Sequence, residues 1–164
     1  MQRKISNILV VDKNPQGSEG PWRTFARMPT LRTPKHVTGP DQGNPNLTIR
    51  AWYEAQWGAE SWDNLKLVPR TTWAQYLEWY RKFLGIPVRN DTTVGALEWN
   101  HAERCFSVPV QTKGTTEVLL ARKVVLATGI DGSGRWEVPG FISSNPQLDY
   151  FDLGTIAHAL VDRR

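Results

Sequence analysis

The 164-residue sequence predicts an α/β fold, and three observations support that prediction. Two nearly continuous apolar runs, residues 5–12 and 123–129, have the composition of strands buried on both faces of a parallel sheet. Two segments between these runs place apolar residues at helical spacing. Residues 86–122 then read as short strands separated by turns.

The first apolar run, ISNILVVD, ends in Asp12 and is stopped by Pro15 and Gly17. Residues 17–46 follow and are rich in Gly, Pro and Thr, so they form a long irregular stretch. Loops longer than about 12–15 residues in a compact domain are usually functional or disordered. Because Trp22 and Phe25 lie within this stretch, we expect an ordered loop that packs on the protein.

Two helices are predicted after this loop. Asn46 or Thr48 caps the first helix, which runs through residue 57 and is closed by Gly58. The second begins at a capping box formed by Thr72 and Gln75 and ends at Gly85. Its apolar face consists of Trp73, Tyr76, Leu77, Tyr80 and Leu84. For the aromatic residues of these helices, we favour core packing over contact with a ligand.

A β-meander is predicted next. Its strands are residues 86–89, 93–99, 105–111 and 116–122. The apolar segment KVVLATG, residues 123–129, then forms a fully buried strand that Gly129 closes. Residues 153–161 have apolar residues at helical spacing and predict a terminal helix.

The composition excludes several classes of protein. No stretch approaches the ~20 consecutive apolar residues of a membrane helix, so no membrane association is expected. Cys105 is the single cysteine and cannot form an internal disulfide, which predicts a cytoplasmic location. The net charge of +4 is spread along the chain. Its densest cluster, Arg23, Arg27, Arg32 and Lys35, favours a solvated loop over a nucleic-acid interface.

No catalytic residue and no metal site are predicted. His101 and Cys105 are four residues apart, but they fall in a strand–turn region and lack further ligands. Cys105 is better explained as a small buried residue than as a nucleophile. No residue is arranged as a general acid or base.

Four motifs in order carry a family resemblance. Asp12 ends an apolar strand, a glycine-containing segment with Gly20 and Trp22 follows, and a second apolar strand ends in ATG, residues 127–129. A Pro–Gly segment, residues 138–140, comes next. This order resembles the FAD-binding domain of flavin-containing and Baeyer–Villiger-type monooxygenases, within the wider FAD/NAD(P)-binding oxidoreductases. The resemblance covers roughly residues 5–142.

The resemblance implies an incomplete doubly wound, Rossmann-like FAD-binding domain with an inserted β-meander and helical layer. It implies FAD as cofactor, with NAD(P)H reducing FAD in the complete enzyme, which would oxygenate a small organic substrate. An acid at the position of Asp12 accepts hydrogen bonds from ribose hydroxyls. The residues implied to bind the cofactor are Asp12, Lys13, Gly20, Trp22, Val94, Ala127, Thr128 and Gly129.

The sequence also departs from the family pattern. No G-x-G-x-x-G turn precedes residue 5, and no second dinucleotide fold follows Gly140. We therefore expect residues 1–164 to be a single, incomplete FAD-binding domain that lacks the first strand, its glycine-rich turn and the NAD(P)H domain. Because the pyrophosphate would then lack its cradle of backbone N–H groups, we expect weak FAD binding by this chain alone.

Two alternatives remain open. The chain could be a non-catalytic relic or interaction module that binds a protein partner, or a second copy of itself, through an exposed sheet edge and aromatic face. A weaker alternative is a basic, tryptophan-containing nucleic-acid binder, which would show strong salt dependence.

Overall fold

The chain divides into two compact units in the computed structural model, which describes residues 7–37, 39–129, 132 and 137–148. The first unit comprises Met1–Val94 and Gln111–Thr115. The second comprises Gly95–Val110 and Thr116–Arg164.

A parallel strand pair opens the first unit. β1 (Val10–Val11) pairs with β2 (Val88–Arg89) in parallel, with Val10 opposite Val88 and Val11 opposite Arg89. The predicted parallel pairing of the first apolar run is confirmed, but the strand is shorter than residues 5–12. Residues 7–9 are not in a strand, and Ile8 is 53% exposed. A strand requires a hydrogen-bonded neighbour along its length, and β2 offers only two residues.

A helical layer follows the long loop. It contains a 3₁₀ turn, Pro45–Leu47, then α1 (Ile49–Trp57), α2 (Ala59–Asn64) and α3 (Arg70–Leu84). The Thr48 cap is confirmed, because its hydroxyl oxygen accepts a hydrogen bond from the Ala51 N–H at 3.1 Å. Gly58 ends α1 with a φ of 90°, a value that suits glycine. Helix α2 was not predicted from the sequence.

The predicted start of α3 is wrong. The helix begins at Arg70, two residues before the expected capping box, and Pro69 is its N-cap residue. The boundary is set by tertiary hydrogen bonds: the Arg70 N–H donates to the Pro29 carbonyl at 3.0 Å, and the Leu31 N–H donates to the Val68 carbonyl at 2.8 Å. The predicted end is confirmed, since Gly85 adopts a left-handed conformation with a φ of 60°.

The core of the first unit lies between these helices and the long loop. Tyr76 is fully buried, and its hydroxyl donates to the Leu47 carbonyl at 2.7 Å. Its ring lies 5.8 Å from the Trp52 ring and 5.3 Å from the Trp73 ring, measured between centroids. The buried cluster is Leu31, Leu47, Ile49, Trp52, Trp62, Val68, Tyr76 and Tyr80. Trp22, Trp73 and Trp79 pack against this cluster, so core packing is confirmed for most of the helix aromatics, whereas Trp57 is 50% exposed.

The second unit is built on a β-meander. β4 (Glu98–Asn100) pairs antiparallel with β5 (Cys105–Thr112), and β6 (Thr115–Ala121) pairs with β5. Cys105 is buried, as predicted. The last residues of β5 belong to the first unit, where the Thr112 hydroxyl lies 2.8 Å from that of Thr92.

The predicted strand 93–99 is divided in the structure. β3 (Thr92–Val94) ends in the first unit, β4 begins at Glu98, and the intervening residues are not in a strand. Within the second unit, the Gly95 N–H donates to the Pro109 carbonyl at 2.8 Å. Pro109 has no N–H to return, so the regular ladder is interrupted at this point.

The segment KVVLATG, residues 123–129, is not a strand, and this prediction is wrong. Val125 is 87% exposed and Leu126 is 72% exposed. Among the described residues no strand pairs with this segment, so its backbone has no ladder to join. A short helix, α4 (Gly140–Ser143), follows and was not predicted. The predicted terminal helix at 153–161 lies outside the described residues.

Candidate functional site: a cleft at the end of the parallel strands

A cleft of about 230 Å³ lies in the first unit, between α3 and the side of the β1–β2 pair that carries Val10, Asp12 and Val88. Strand, loop and helix residues all contribute to its walls. They are Val10, Asp12, Gln16, Gly17, Glu19, Trp22, Arg23, Ala74, Leu77, Glu78, Arg81, Lys82, Ile86 and Val88. Asp12 lines the cleft at the carboxyl end of β1, and ligands bind at that end of parallel strands in α/β folds. We call this site the strand-end cleft.

Asp12 follows β1 directly, and both its backbone N–H and its carbonyl form hydrogen bonds. Its N–H donates to the Arg89 carbonyl at 3.1 Å, and its carbonyl accepts from the Thr92 N–H at 3.0 Å. The side-chain Oδ1 accepts from the Asn14 N–H at 2.8 Å. An ionised carboxylate offers about four acceptor sites. Asp12 therefore retains acceptor capacity for a ligand that carries hydroxyl groups.

The loop after Asp12 turns with two glycines of positive φ, Gly17 at 86° and Gly20 at 70°. Between them, Glu19 folds back on the loop, and its Oε2 accepts from the Gly17 N–H at 2.9 Å. Residues other than glycine rarely adopt such φ values, so this path of the loop depends on the two glycines.

Glu19 also ties the loop to the rest of the unit. Its Oε1 accepts from Asn90 Nδ2 at 2.7 Å and forms an ion pair with the guanidinium of Arg81 on α3. Partial burial raises the pKa of the Glu19 carboxyl, but the hydrogen bonds from Asn90 and from the backbone, with the charge of Arg81, outweigh it. The pKa of Glu19 is therefore lowered below its ordinary value.

Trp22 and Arg23, which line the cleft after the glycine-containing loop, are attached to α3 and to the helical core. The Trp22 carbonyl accepts from Arg70 Nη1 at 2.9 Å, and its indole meets the Trp73 ring edge-on, with the centroids 6.2 Å apart. Arg23 Nη2 pairs with Glu78 Oε2 at 2.6 Å. Hydrogen bonding to Lys82 is the main reason why the pKa of Glu78 is lowered, with Arg23 adding to the effect.

Within the first unit, two of the predicted cofactor residues lie together. Asp12 and Trp22 both line the strand-end cleft. Lys13 and Gly20 belong to the same stretch of chain and are exposed, and Val94 is exposed at the end of β3.

The other three predicted cofactor residues lie elsewhere in the chain. They are Ala127, Thr128 and Gly129. They lie in the second unit, in the exposed segment after β6, whereas every residue lining the strand-end cleft belongs to the first unit.

Sequence reasoning missed Glu19, Arg81 and Asn90. One signal could have identified Arg81: it lies four residues after Leu77 and three before Leu84, so it carries a charge on the apolar face of α3. A charge at such a position needs a partner, and Glu19 in the glycine-containing loop is that partner. No local pattern indicates Asn90, because its contacts depend on how the loop 14–19 and α3 meet beside β2.

The part of the chain that the structure describes contains no group of three His, Cys, Asp or Glu residues suited to a metal ion. It also contains no helix with the length and hydropathy to cross a membrane. Two members of the basic cluster are engaged internally: Arg23 pairs with Glu78, and Lys35 Nζ donates to the Trp62 carbonyl at 2.5 Å. These contacts do not favour a nucleic-acid interface.

Comparison with known proteins defines the class first. The family model described as FAD-NAD(P)-binding matches residues 1–131, and the chain belongs to this family. Its fold is Rossmann-like α/β, and the chain is similar to part of two flavin-dependent enzymes.

Two particular proteins are similar to this chain. A protein of Xanthomonas campestris pv. campestris named FAD-dependent urate hydroxylase is 49% identical over 142 residues, which cover 87% of this chain and 29% of that protein. The crystal structure of DfoA bound to FAD, a cadaverine monooxygenase of Erwinia amylovora, matches with a TM-score of 0.59 and 22% identity. That match covers 73% of this chain and 29% of DfoA, and it shows the fold. The chain thus spans under a third of the length of either protein.

Proposed function

We propose that this chain is the part of an FAD- and NAD(P)H-dependent monooxygenase that holds the adenosine end of FAD, with Asp12 binding the ribose hydroxyls. The observation that carries the proposal is the Asp12 carboxylate, which lies in the strand-end cleft directly after a parallel strand. A carboxylate at this edge can accept two hydroxyl hydrogen bonds, which is the chemistry that ribose recognition requires.

The dimensions of the cleft fit a part of FAD. Pockets that enclose a whole drug-sized ligand have volumes of about 300–1,000 Å³. The strand-end cleft, at about 230 Å³, accommodates a nucleoside fragment and leaves the flavin ring to other residues. The indole of Trp22 and the side chain of Leu77 give it an apolar wall suited to a sugar or base face.

The remaining predicted cofactor residues enter the proposal with narrower roles. Lys13 and Gly20 flank the glycine-containing loop, and Val94 closes a segment whose backbone would contact the adenine. In the second unit, Ala127, Thr128 and Gly129 would contact the flavin portion. The proposal treats residues 1–164 as one incomplete FAD-binding domain of a longer, cytoplasmic enzyme.

When bound, FAD would supply the redox chemistry: it would accept electrons from NAD(P)H and use oxygen to oxygenate a small organic substrate. The names of the two similar proteins refer to urate and to cadaverine, which are both small nitrogen compounds. The chain's own residues would bind and orient the nucleotide. Asp12 would fix the ribose, and the Glu19–Arg81 pair would hold the loop in place.

A titration with nucleotides tests the proposal. ADP and FAD share the adenosine end, whereas FMN lacks it, so ADP and FAD should shift the amide NMR signals around Asp12 and FMN should not. Asp12→Asn removes the charge but keeps the shape. Since a hydrogen bond to a charged group contributes about 1.5–3 kcal/mol, the substitution should weaken ADP binding by about 10- to 150-fold.

Asp63→Asn is the matched control, because Asp63 is exposed on α2 and does not line the cleft. It makes the same change in charge and should leave the affinity for ADP unaltered. If Asp12→Asn binds ADP as tightly as Asp63→Asn does, or if FMN competes with ADP, the proposal is wrong.

A second candidate function rests on the second unit. Val118 and Leu120 are exposed on β6, and Val125 and Leu126 are exposed after it. Exposed apolar side chains in neighbouring positions are typical of protein-interaction surfaces. We therefore also propose that this surface binds a protein, either a different protein or a second copy of the chain. Sedimentation velocity tests self-association: a monomer at high concentration would exclude the second copy, and loss of association in Val125→Ser/Leu126→Ser would identify the surface.

A further inference from the structure

Asn90, directly after β2, uses both ends of its side-chain amide. Its Nδ2 donates to the Asn14 carbonyl at 3.0 Å and to Glu19 Oε1 at 2.7 Å, and its Oδ1 accepts from Arg81 Nη2 at 3.1 Å. The loop 14–19 and the last turns of α3 therefore meet at one half-buried side chain.

The contact with Asn14 links Asn90 to the Asp12 carboxylate. Its N–H donates to Asp12 Oδ1, so Asn14 is the residue that orients the Asp12 carboxylate. Its carbonyl receives hydrogen bonds from Asn90 Nδ2 and from the Asp91 N–H at 3.2 Å. Whatever fixes the Asn14 backbone therefore also fixes the direction in which Asp12 presents its free acceptor capacity.

The Glu19 contact fixes the other end of the same loop. Glu19 accepts from the Gly17 N–H, and Asn90 and Arg81 together hold the Glu19 carboxylate. Only a primary amide can donate to two oxygens and accept from a guanidinium at once. A carboxylate at position 90 would lack the donors and would repel Glu19.

We propose that Asn90 is a positioning residue for nucleotide binding: its amide holds both ends of the loop 14–19, so that Asp12 faces the ribose in the strand-end cleft. This inference rests on the proposed function. It goes beyond that function because Asn90 does not line the cleft and acts through Asn14 and Glu19.

The test uses the full chain with ADP as the probe. Asn90→Ala should weaken ADP binding about tenfold, since it removes three hydrogen bonds and only part of the lost free energy is transmitted to the ligand. Asn64→Ala, at an exposed asparagine that ends α2, is the matched control and should leave binding unchanged.

A double-mutant cycle with Asp12 separates positioning from a general loss of structure. If Asn90 acts through Asp12, Asn90→Ala should cause little further loss of ADP affinity in the Asp12→Asn background. Equal losses in both backgrounds would overturn the proposal. A loss in Asp12→Asn without any loss in Asn90→Ala would also overturn it, while leaving the proposed function intact. No loss in Asp12→Asn would refute the proposed function itself, and the proposal with it.

A donor–acceptor exchange provides the rescue. In Asn90→Asp/Glu19→Gln, the glutamine amide can donate to the aspartate, and Arg81 can still donate to that aspartate. The Asn14 carbonyl, however, loses its side-chain donor and keeps only the Asp91 N–H. The pair should recover the urea midpoint lost in Asn90→Asp, while ADP affinity stays reduced. In ligand-free Asn90→Ala, the Asn14 and Gly17 amides should exchange their hydrogens faster than in the wild type. Full recovery of affinity in the double variant, or unchanged exchange in Asn90→Ala, would contradict positioning through Asn14.

Discussion

The buried hydroxyl of Tyr76 gives the fold a point at which one hydrogen bond can be tested alone. Tyr76→Phe keeps the ring and its contacts with four neighbouring aromatic residues, and it removes only the oxygen that donates to the Leu47 carbonyl. A buried acceptor left without its donor costs about 1–3 kcal/mol. Because the side chain is 0% exposed, water cannot replace the donor without rearrangement. We expect a loss of about 2 kcal/mol in the free energy of unfolding.

Urea unfolding followed by tryptophan fluorescence measures this loss, since Trp52, Trp73 and Trp79 surround the Tyr76 ring. With a slope of about 2 kcal/mol per molar urea, the midpoint should fall by about 1 M with an unchanged slope. Tyr53→Phe is the matched control: Tyr53 is half-buried, and its hydroxyl has no hydrogen bond to another described residue. A Tyr76→Phe midpoint equal to that of Tyr53→Phe would refute the reasoning.

Two further predictions concern pH and the second unit. Burial is the main reason why the pKa of Tyr76 is raised from 10.0 to about 12. The unfolded chain therefore ionises at this tyrosine first, and the stability advantage of the wild type over Tyr76→Phe is complete below pH 10 and should decline between pH 10 and pH 12. A constant difference across that range would show that the hydroxyl is not buried. Separately, Val125→Ser/Leu126→Ser should change the free energy of unfolding by less than about 0.5 kcal/mol per site, because both side chains are exposed. A large loss in urea unfolding would indicate that this segment is a buried strand after all.

The elements that could be predicted are those set by local chemistry. Thr48 and Gly58 bound α1, and Gly85 ends α3, because a side-chain cap and glycines of positive φ act within a few residues of chain. The turns at residues 101–104 and 113–114 lie between predicted strands for the same reason. The start of α3 could not be predicted, since hydrogen bonds to the loop around Pro29 determine it.

Strand predictions depended on partners that a sequence pattern does not show. Residues 123–129 have the apolar character of a buried strand, but that character describes a side-chain surface and not a backbone ladder. Val125 and Leu126 consequently remain exposed although their composition predicted burial. Parallel pairing of the first run was confirmed, but only where β2 lies beside it.

In the candidate site, too, local sequence patterns indicate some residues, while others depend on tertiary contacts. Asp12 could be identified because a carboxylate at the end of an apolar strand is a recognisable pattern, and Trp22 because it follows the glycine-containing turn. Glu19, Arg81 and Asn90 form a network that joins loop, helix and strand, so their roles depend on tertiary geometry. Of these three residues, only Arg81 has a local sequence pattern that indicates its role, because it places a charge on an apolar helix face.

The central claim is that Asp12 binds a ribose hydroxyl. The most direct measurement is a thermodynamic cycle that pairs Asp12→Asn with 2′-deoxy-ADP, using NMR titrations of the full chain. If the carboxylate contacts the 2′-hydroxyl, each change alone should weaken binding, and the two together should be no worse than Asp12→Asn alone, which gives a coupling energy of about 1 kcal/mol or more. Fully additive losses, or equal affinity of the wild type for ADP and 2′-deoxy-ADP, would contradict the account.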